Sequence, residues 1–151
     1  MLARQDVTVL SADDPEVESL TLFWVAGRRV QPAARPVPRA SDPAATALDE
    51  LLWGPGPADP PDLLTALPTV EDVLTYHGRQ ADWGPRVQLR GLTIADGIAT
   101  ADFSRELGAY GGGSTRVDLI EQQITRTLEQ FPGIRSVRIA VEGTTRGVLQ
   151  P

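Results

Sequence analysis

The chain has 151 residues, of which 41% are hydrophobic and 23% charged. These are the proportions of an ordinary globular domain, and they exclude a disordered or fibrous protein. The fourteen basic residues are all arginines and twenty residues are acidic, so the formal net charge is −6. A negative chain repels phosphate backbones, which argues against a nucleic-acid partner. The absence of cysteine excludes disulfides, thiolate metal ligands and cysteine nucleophiles.

The N-terminal residues show no apolar signal segment, and no stretch has the ~20 apolar residues that a membrane-spanning helix needs. We therefore expect a chain that does not span a membrane. Residues 1–18 are expected to form a leader or an edge strand, with strand character at 7–10. A single domain is expected at 19–143, followed by a polar tail at 144–151, because the helices need strands on both sides of them in sequence to bury their apolar faces.

The first half of the chain predicts a strand, an edge strand and a helix. The apolar, β-prone run at 20–26 predicts an interior strand. The returning segment at 30–39 contains prolines, which cannot donate to a ladder and so favour an edge. Asp42 and Pro43 are typical of a helix start, and apolar spacing predicts an amphipathic helix that ends near Trp53. Residues 54–85 predict a long connection with little regular structure.

The second half begins with a hairpin signal. Asp96 and Gly97 form a dipeptide preferred in two-residue turns, and counting outward pairs Ile94 with Ala99. A glycine run at 111–113 then precedes the longest helix, for which residues 115 and 118 predict a capping box, and a last strand follows at 134–142. This order predicts an α+β fold: a two-layer sandwich of a mostly antiparallel sheet with two helices on one face.

No residue pattern predicts catalysis, a metal site or a cofactor. His77 is the single histidine, and no motif supplies it with a nucleophile or a second metal ligand, so we interpret it as a loop residue. The glycine run lacks the lysine of a P-loop, although Arg116 beside it could assist an anion. Acidic pairs such as Asp49 and Glu50 are scattered and are interpreted as solvated charges.

One candidate surface is an open sheet face. Arg135 and Arg138 on the last strand share a face with threonines of the hairpin if that face is exposed, and Arg116 marks the start of the long helix. A mixed-charge sheet face suits self-association or partner docking, and simple solvation is the alternative. Arg116, Arg135 and Arg138 are therefore the candidate interaction residues.

A second candidate is a groove at the long connection. Trp53, Tyr76 and Trp83 cluster around it in sequence and could line a ligand groove. The alternative is a small hydrophobic cluster beneath a long loop.

Several motifs, taken in order, carry a family resemblance. They are LLWGP at 51–55, LTALP at 64–68, IADGIATADFS at 94–104, GGGS at 111–114 and QFPGIRSVRI at 130–139. In this order they resemble the GerMN domain, the sporulation and spore germination family. The resemblance extends from about residue 20 to about residue 143, which is nearly the whole chain.

The resemblance implies an extracytoplasmic, cell-surface bacterial module, commonly carried on lipoproteins. It also implies a fold similar to the ring-building α/β modules of sporulation complexes, in which neighbouring copies associate. No catalytic motif transfers, so the implied function is a non-enzymatic interaction or assembly module of the cell envelope, with protein partners or self-association. This chain departs from the family in its long loop and in lacking a lipidation cysteine, so we expect an export or lipid-anchor segment to have been removed.

Two other functions stay open. A small-ligand or cell-wall-fragment binding module would use the 54–86 loop. A hydrolase would need His77 to meet a serine and an acid in one pocket.

Overall fold

The computed structural model describes residues 15–77, 85–111 and 113–149, so the strand character predicted at 7–10 lies outside the described residues. The elements in chain order are β1 (Val17–Ala26), β2 (Arg29–Pro38), α1 (Pro43–Trp53), α2 (Val70–His77), β3 (Leu89–Ala95), β4 (Ile98–Phe103), a short 3₁₀ helix (Arg105–Gly108), α3 (Ser114–Glu129) and β5 (Ser136–Val141). The mixed composition of helices and strands confirms the predicted α+β class.

The strands form two sheets. β1 and β2 pair antiparallel as one sheet, and the second sheet has the order β3-β4-β5. β3 and β4 are antiparallel, whereas β4 and β5 are parallel. The parallel pair follows from α3, which carries the chain back along the sheet before β5 begins. The division into two sheets was not predicted from the sequence.

Helices α1 and α3 hold the two sheets together. α1 contacts β1 and β3, and α3 contacts β1, β2 and β5. The fully buried apolar side chains between them include Leu22, Trp24, Leu48, Leu51, Phe103, Ile120, Ile124 and Leu128. Complete burial of such a side chain contributes about 1.5–3 kcal/mol. The core thus lies between the two helices and both sheets.

The β3–β4 hairpin has the predicted register. Ile94 pairs with Ala99 and Leu92 with Ala101. Asp96 (φ 53°) and Gly97 (φ 79°) occupy the two central turn positions, both left-handed, as the dipeptide predicts. The register turns Ala99 and Ala101, both fully buried, toward the helices. Their strand neighbours face the opposite side of the sheet.

The structure confirms the predicted start of α1 but not the predicted cap of α3. The Asp42 carboxylate accepts a hydrogen bond from the Ala45 N–H at 3.2 Å, which confirms the predicted start of α1. For α3 the predicted capping box is wrong, because Gly113 is the N-cap and no side chain bonds there. The Asp118 carboxylate instead accepts from the Gln122 amide at 2.7 Å.

The connection predicted to be irregular contains helix α2. Thr69 caps it: the Asp72 N–H donates to the Thr69 hydroxyl at 3.2 Å, and the Asp72 carboxylate accepts from the Thr69 N–H at 2.9 Å. This reciprocal pair is a capping box. α2 presents a buried Val73 to the fold and leaves Leu74 46% exposed.

The edge of β1 that faces away from β2 is closed by two glutamine side chains, one on α3 and one just after it, and by the connector between α1 and α2, residues 54–69. Gln130 accepts from the Thr21 N–H at 2.9 Å and donates to the Thr21 carbonyl at 2.7 Å. Gln123 donates to the Phe23 carbonyl at 2.9 Å. Leu64 exchanges two backbone hydrogen bonds with Val25. β1 therefore has hydrogen-bonding partners along both edges.

Candidate interaction surface

The side of the β3-β4-β5 sheet away from the helices forms an exposed face, which we call the open face. Across the strands Thr93 lies beside Thr100, and Thr100 lies beside Arg138. Thr93 and Arg138 are exposed and Thr100 is half-buried. One step along the strands, Arg90 pairs with the Asp102 carboxylate at 3.3 Å. The open face thus carries both charge signs between hydroxyl groups.

Arg135 lies at one end of this face and braces the hairpin turn. Its Nη2 donates to the Asp96 carbonyl at 2.8 Å, and its backbone N–H donates to the Gly97 carbonyl at 2.7 Å. The guanidinium covers Gly97 so closely that a Cβ at that position would collide with it. Arg135 and Arg138 are therefore near each other in the fold, but only Arg138 is on a strand of the open face.

Arg116 is placed away from this surface, among internal partners. Its Nε donates to the Ala66 carbonyl at 2.9 Å, its Nη1 to the Gly111 carbonyl at 3.3 Å and its Nη2 to the Asp72 carboxylate at 3.0 Å. The side chain is 26% exposed. Arg116 thus ties the start of α3 to the connector and to α2, and this use of its donors was not visible in the sequence. A contact with a partner protein stays a prediction for this residue.

The Asp72–Arg116 pair predicts a pH dependence of stability. Burial acts to raise the pKa of the Asp72 carboxyl, but hydrogen bonds from Thr69 and Arg116 outweigh it and lower that pKa below its ordinary value. A carboxyl whose folded-state pKa is below its unfolded-state value, about 3.9, stabilises the fold above that value. The stabilisation is lost as the pH falls through the folded-state pKa.

We expect Asp72→Asn to lower the free energy of unfolding by about 1 kcal/mol at neutral pH and by less below about pH 3.5. Urea unfolding at both pH values measures the two differences. Asp118→Asn is the matched control, because its carboxylate accepts a bond only from Gln122 on the surface of the same helix. A loss that is equal at both pH values would contradict the assignment.

The structure pairs one residue of the predicted groove with an arginine that the sequence analysis missed. The Arg86 guanidinium lies 4.1 Å from the centre of the Trp53 ring, and burial lowers its pKa. Both residues line a cleft of about 430 Å³. The other described lining residues are Leu52, Gly54, Thr65, Leu67, Pro68, Thr69, Val70 and Glu71. Since 33 positions separate Trp53 from Arg86, no local pattern signals their contact.

The structure does not bring Tyr76 into this cleft. Tyr76 is 54% exposed and is not among the described lining residues. Its hydroxyl lies against Gly111, where a Cβ would displace it. Trp83 and the side chain of His77 lie outside the described part of the chain.

A separate cluster of buried and half-buried charges includes Arg35, Glu50 and Asp59. Arg35 is 8% exposed and donates to the Glu50 carboxylate at 2.9 Å and to the Asp59 carboxylate. Asp59 also accepts from the Gly56 N–H at 2.6 Å. The prediction that Glu50 is merely solvated is wrong, because its carboxylate pairs with a buried cation. The cluster joins β2, α1 and the connector, and its one cation is shared by two carboxylates.

Metal-ion clusters and membrane-spanning helices are absent from the part of the chain that the structure describes. In those ranges no group of three or more histidine, aspartate or glutamate side chains is placed to hold a metal ion. None of the described helices has the length and apolar character needed to cross a bilayer.

Comparison with known proteins identifies the family. A family model described as "Sporulation and spore germination" and named Germane matches residues 21–147. The chain belongs to the Germane family. No curated protein matches the sequence.

Two solved structures resemble this Germane domain. The first GerMN domain of the sporulation protein GerM from Bacillus subtilis is 26% identical, with a TM-score of 0.63 and coverage of 84% of either chain. The tandem GerMN domains of the same protein give the same identity and TM-score, with coverage of 84% of this chain and 40% of that one. These matches confirm the predicted resemblance and fold, and this chain corresponds to one GerMN unit. Germane is a sporulation-related family and not a known enzyme family.

Proposed function

We propose that this Germane domain is a non-enzymatic interaction module of the bacterial cell envelope. The observation that carries the proposal is the open face. Helices cover one side of the β3-β4-β5 sheet, where Ala99, Ala101 and Phe103 are fully buried. The other side presents Thr93 and Arg138 to solvent. A broad sheet surface of mixed charge gives a docking protein both hydrogen-bonding groups and charge complementarity.

The disposition of the charged groups supports binding over catalysis. Asp59 and Arg35 neutralise each other inside the fold, and the Asp72 carboxylate is held by Arg116. A catalytic acid or base needs a carboxyl or imidazole that faces a substrate cavity with an adjusted pKa. Of the acids described, only Glu71 lines the 430 Å³ cleft. No partner for acid–base work lies beside it there among the described residues.

The envelope setting rests on the relatives. The matched domain belongs to the sporulation protein GerM, and the family is one of sporulation and spore germination. We infer a cell-surface location and protein partners for this chain by that relationship. The net charge of −6 supports protein rather than nucleic-acid partners.

Site-specific photo-crosslinking in the native bacterium tests the proposal. A photoreactive residue replaces Arg138 on the open face, and in a matched variant it replaces Arg28, an exposed arginine of the β1–β2 turn. We expect discrete protein adducts from position 138 at roughly ten times the yield from position 28, because docking surfaces are localised patches. Equal yields, or adducts from position 28 alone, would overturn the assignment of the open face.

A second candidate function is supported by the Trp53–Arg86 cleft. Its volume of about 430 Å³ is within the range of small-ligand sites, and a cation above an indole ring suits an anionic wall fragment. Thermal-shift titration with muropeptides separates this function from the first. A shift in melting temperature that Trp53→Ala abolishes would favour ligand binding. The absence of any shift with the parent chain would exclude this function.

A further inference from the structure

The outer edge of β3 is left without a partner. β1 is closed by Gln123, Gln130 and Leu64, as described above, and β2 carries Pro32, Pro36 and Pro38, which cannot donate to another strand. β3 is the first strand of its sheet. Within the described residues its backbone bonds to β4 and to no strand or side chain on its other edge. An unpaired edge of this kind is a template for strand addition.

From Gly91 onward, β3 also lacks the usual protection of an edge strand. Thr93 and Ala95 are exposed, and Ile94 is 51% exposed although it is a large β-branched residue. A Cβ placed on Gly91 would meet nothing within 4 Å, so the sheet face at that position is uncovered. Natural edges are commonly blunted by charged side chains, proline or a β-bulge, and β3 has such protection only at its start, where Arg90 is exposed and a bulge lies between Leu89 and Gly91. A second strand could therefore approach along the edge from Gly91 to Ala95.

The sequence of β3 and its turn is complementary to itself. Outward from Thr93 the residues are Leu92 and Ile94, then Gly91 and Ala95, then Arg90 and Asp96. In an antiparallel pair of two copies centred on Thr93, each Leu92 lies opposite Ile94 of the second copy. The opposite charges of Arg90, at the bulge, and Asp96, in the turn, flank this run at its two ends. Cross-strand apolar, threonine and opposite-charge pairs are all favourable.

The neighbouring register is less complementary. Centring the pair on Leu92 places Arg90 opposite Ile94 and Asp96 opposite Gln88, so neither charge has a counter-ion across the pair. The sequence therefore selects the register about Thr93. Because an antiparallel pair of identical strands has a two-fold axis, the resulting interface is isologous and closes at two copies.

We propose that two copies of this chain associate antiparallel along the outer edges of β3, with Thr93 at the two-fold axis. The two three-stranded sheets then form one six-stranded sheet, and the open faces of both copies become continuous. This proposal rests on the proposed function. It names a second copy of the chain as one partner of the interaction module.

Disulfide trapping tests the register, since the chain has no cysteine of its own. Thr93→Cys places two thiols opposite each other at a Cα separation of about 4.5–5.5 Å, which suits a disulfide. With diamide as the oxidant we expect a covalent dimer roughly ten times faster than from Ser136→Cys, an exposed position of the open face on β5. Gly91→Cys and Ala95→Cys should each cross-link slowly alone and rapidly when mixed. Equal rates for Thr93→Cys and Ser136→Cys would overturn the proposal.

Sedimentation equilibrium of the parent chain gives an independent readout without any cysteine. Ile94→Lys should raise the dimer dissociation constant at least about tenfold, since it replaces the apolar side chain opposite Leu92 by a charge. Leu64→Lys alters another apolar residue, which is 63% exposed, and should leave the dimer dissociation constant unchanged. A parent chain that stays monomeric to about 1 mM and gives no Thr93→Cys dimer excludes this pairing. Adducts to other proteins from position 138 would then still support the proposed function, so the two failures are distinguishable.

Discussion

Replacing Arg35 with alanine is expected to lower the free energy of unfolding by about 3–5 kcal/mol. The guanidinium is 8% exposed and bonds to two carboxylates, those of Glu50 and Asp59. Its removal takes the shared cation from two carboxylates in a region with little solvent. The substitution also removes a cation that lies 5.8 Å from the centre of the buried Trp24 ring.

Arg29→Ala is the matched control, because Arg29 is on the same strand and exposed, with an expected effect within about 0.5 kcal/mol. Urea unfolding at neutral pH measures both variants. A third variant that replaces all three charged residues by Arg35→Met, Glu50→Leu and Asp59→Leu should recover much of the loss, since buried ion clusters often exchange neutrally for apolar groups. An Arg35→Ala loss no larger than that of Arg29→Ala would show that the cluster is not effectively desolvated.

This cluster shows why part of the fold could not be predicted from the sequence. Arg35 lies 15 residues from Glu50 and 24 from Asp59, on three different segments. Each residue alone resembles a solvated charge, and the proline-rich surroundings of Arg35 favour an exposed edge. Pairing across segments depends on the packing of β2 against α1 and the connector. No periodic residue pattern within one segment predicts that packing.

Local signals succeeded where the backbone itself is constrained. Two left-handed positions at Asp96 and Gly97 set the turn and therefore the register of the whole hairpin. The capping-box pattern was less reliable, because it occurs at both Thr69 and Thr115 and the fold uses only the first. With Gly113 as the N-cap, α3 begins at Ser114, two residues earlier than a cap at Thr115 would allow, so Thr115 is already inside the helix.

The candidate interaction and groove residues show the same contrast between local patterns and contacts across distant segments. Alternation along β5 was enough to place Arg138 on the open face. The partners of Arg116 could not be predicted, because one of them belongs to α2, a helix placed in an irregular connection by the sequence analysis although Val70, Val73 and Leu74 have helical spacing. The Trp53–Arg86 contact likewise joins segments far apart in sequence.

Gln123→Leu is expected to lower the free energy of unfolding by about 2–4 kcal/mol, even though leucine is close to glutamine in volume and is itself apolar. Gln123 is fully buried on α3. Its Nε2 donates to the Phe23 carbonyl at 2.9 Å and its Oε1 accepts from the Ala66 N–H at 2.8 Å. Leucine would leave both backbone groups without these partners, and the cost of burying such groups unpaired exceeds the gain from the added methyl surface.

Gln122→Leu, one position along the helix, is the control: its amide bonds only to Asp118 on the surface, and its expected effect is within about 0.5 kcal/mol. Hydrogen exchange adds a readout that general loss of packing would not give. In Gln123→Leu the Ala66 amide should exchange faster relative to the buried amides of β4, because its acceptor is gone. If stability and Ala66 protection are both retained, closure of the β1 edge would not depend on Gln123, and Gln130 together with Leu64 would suffice to keep that edge from other strands.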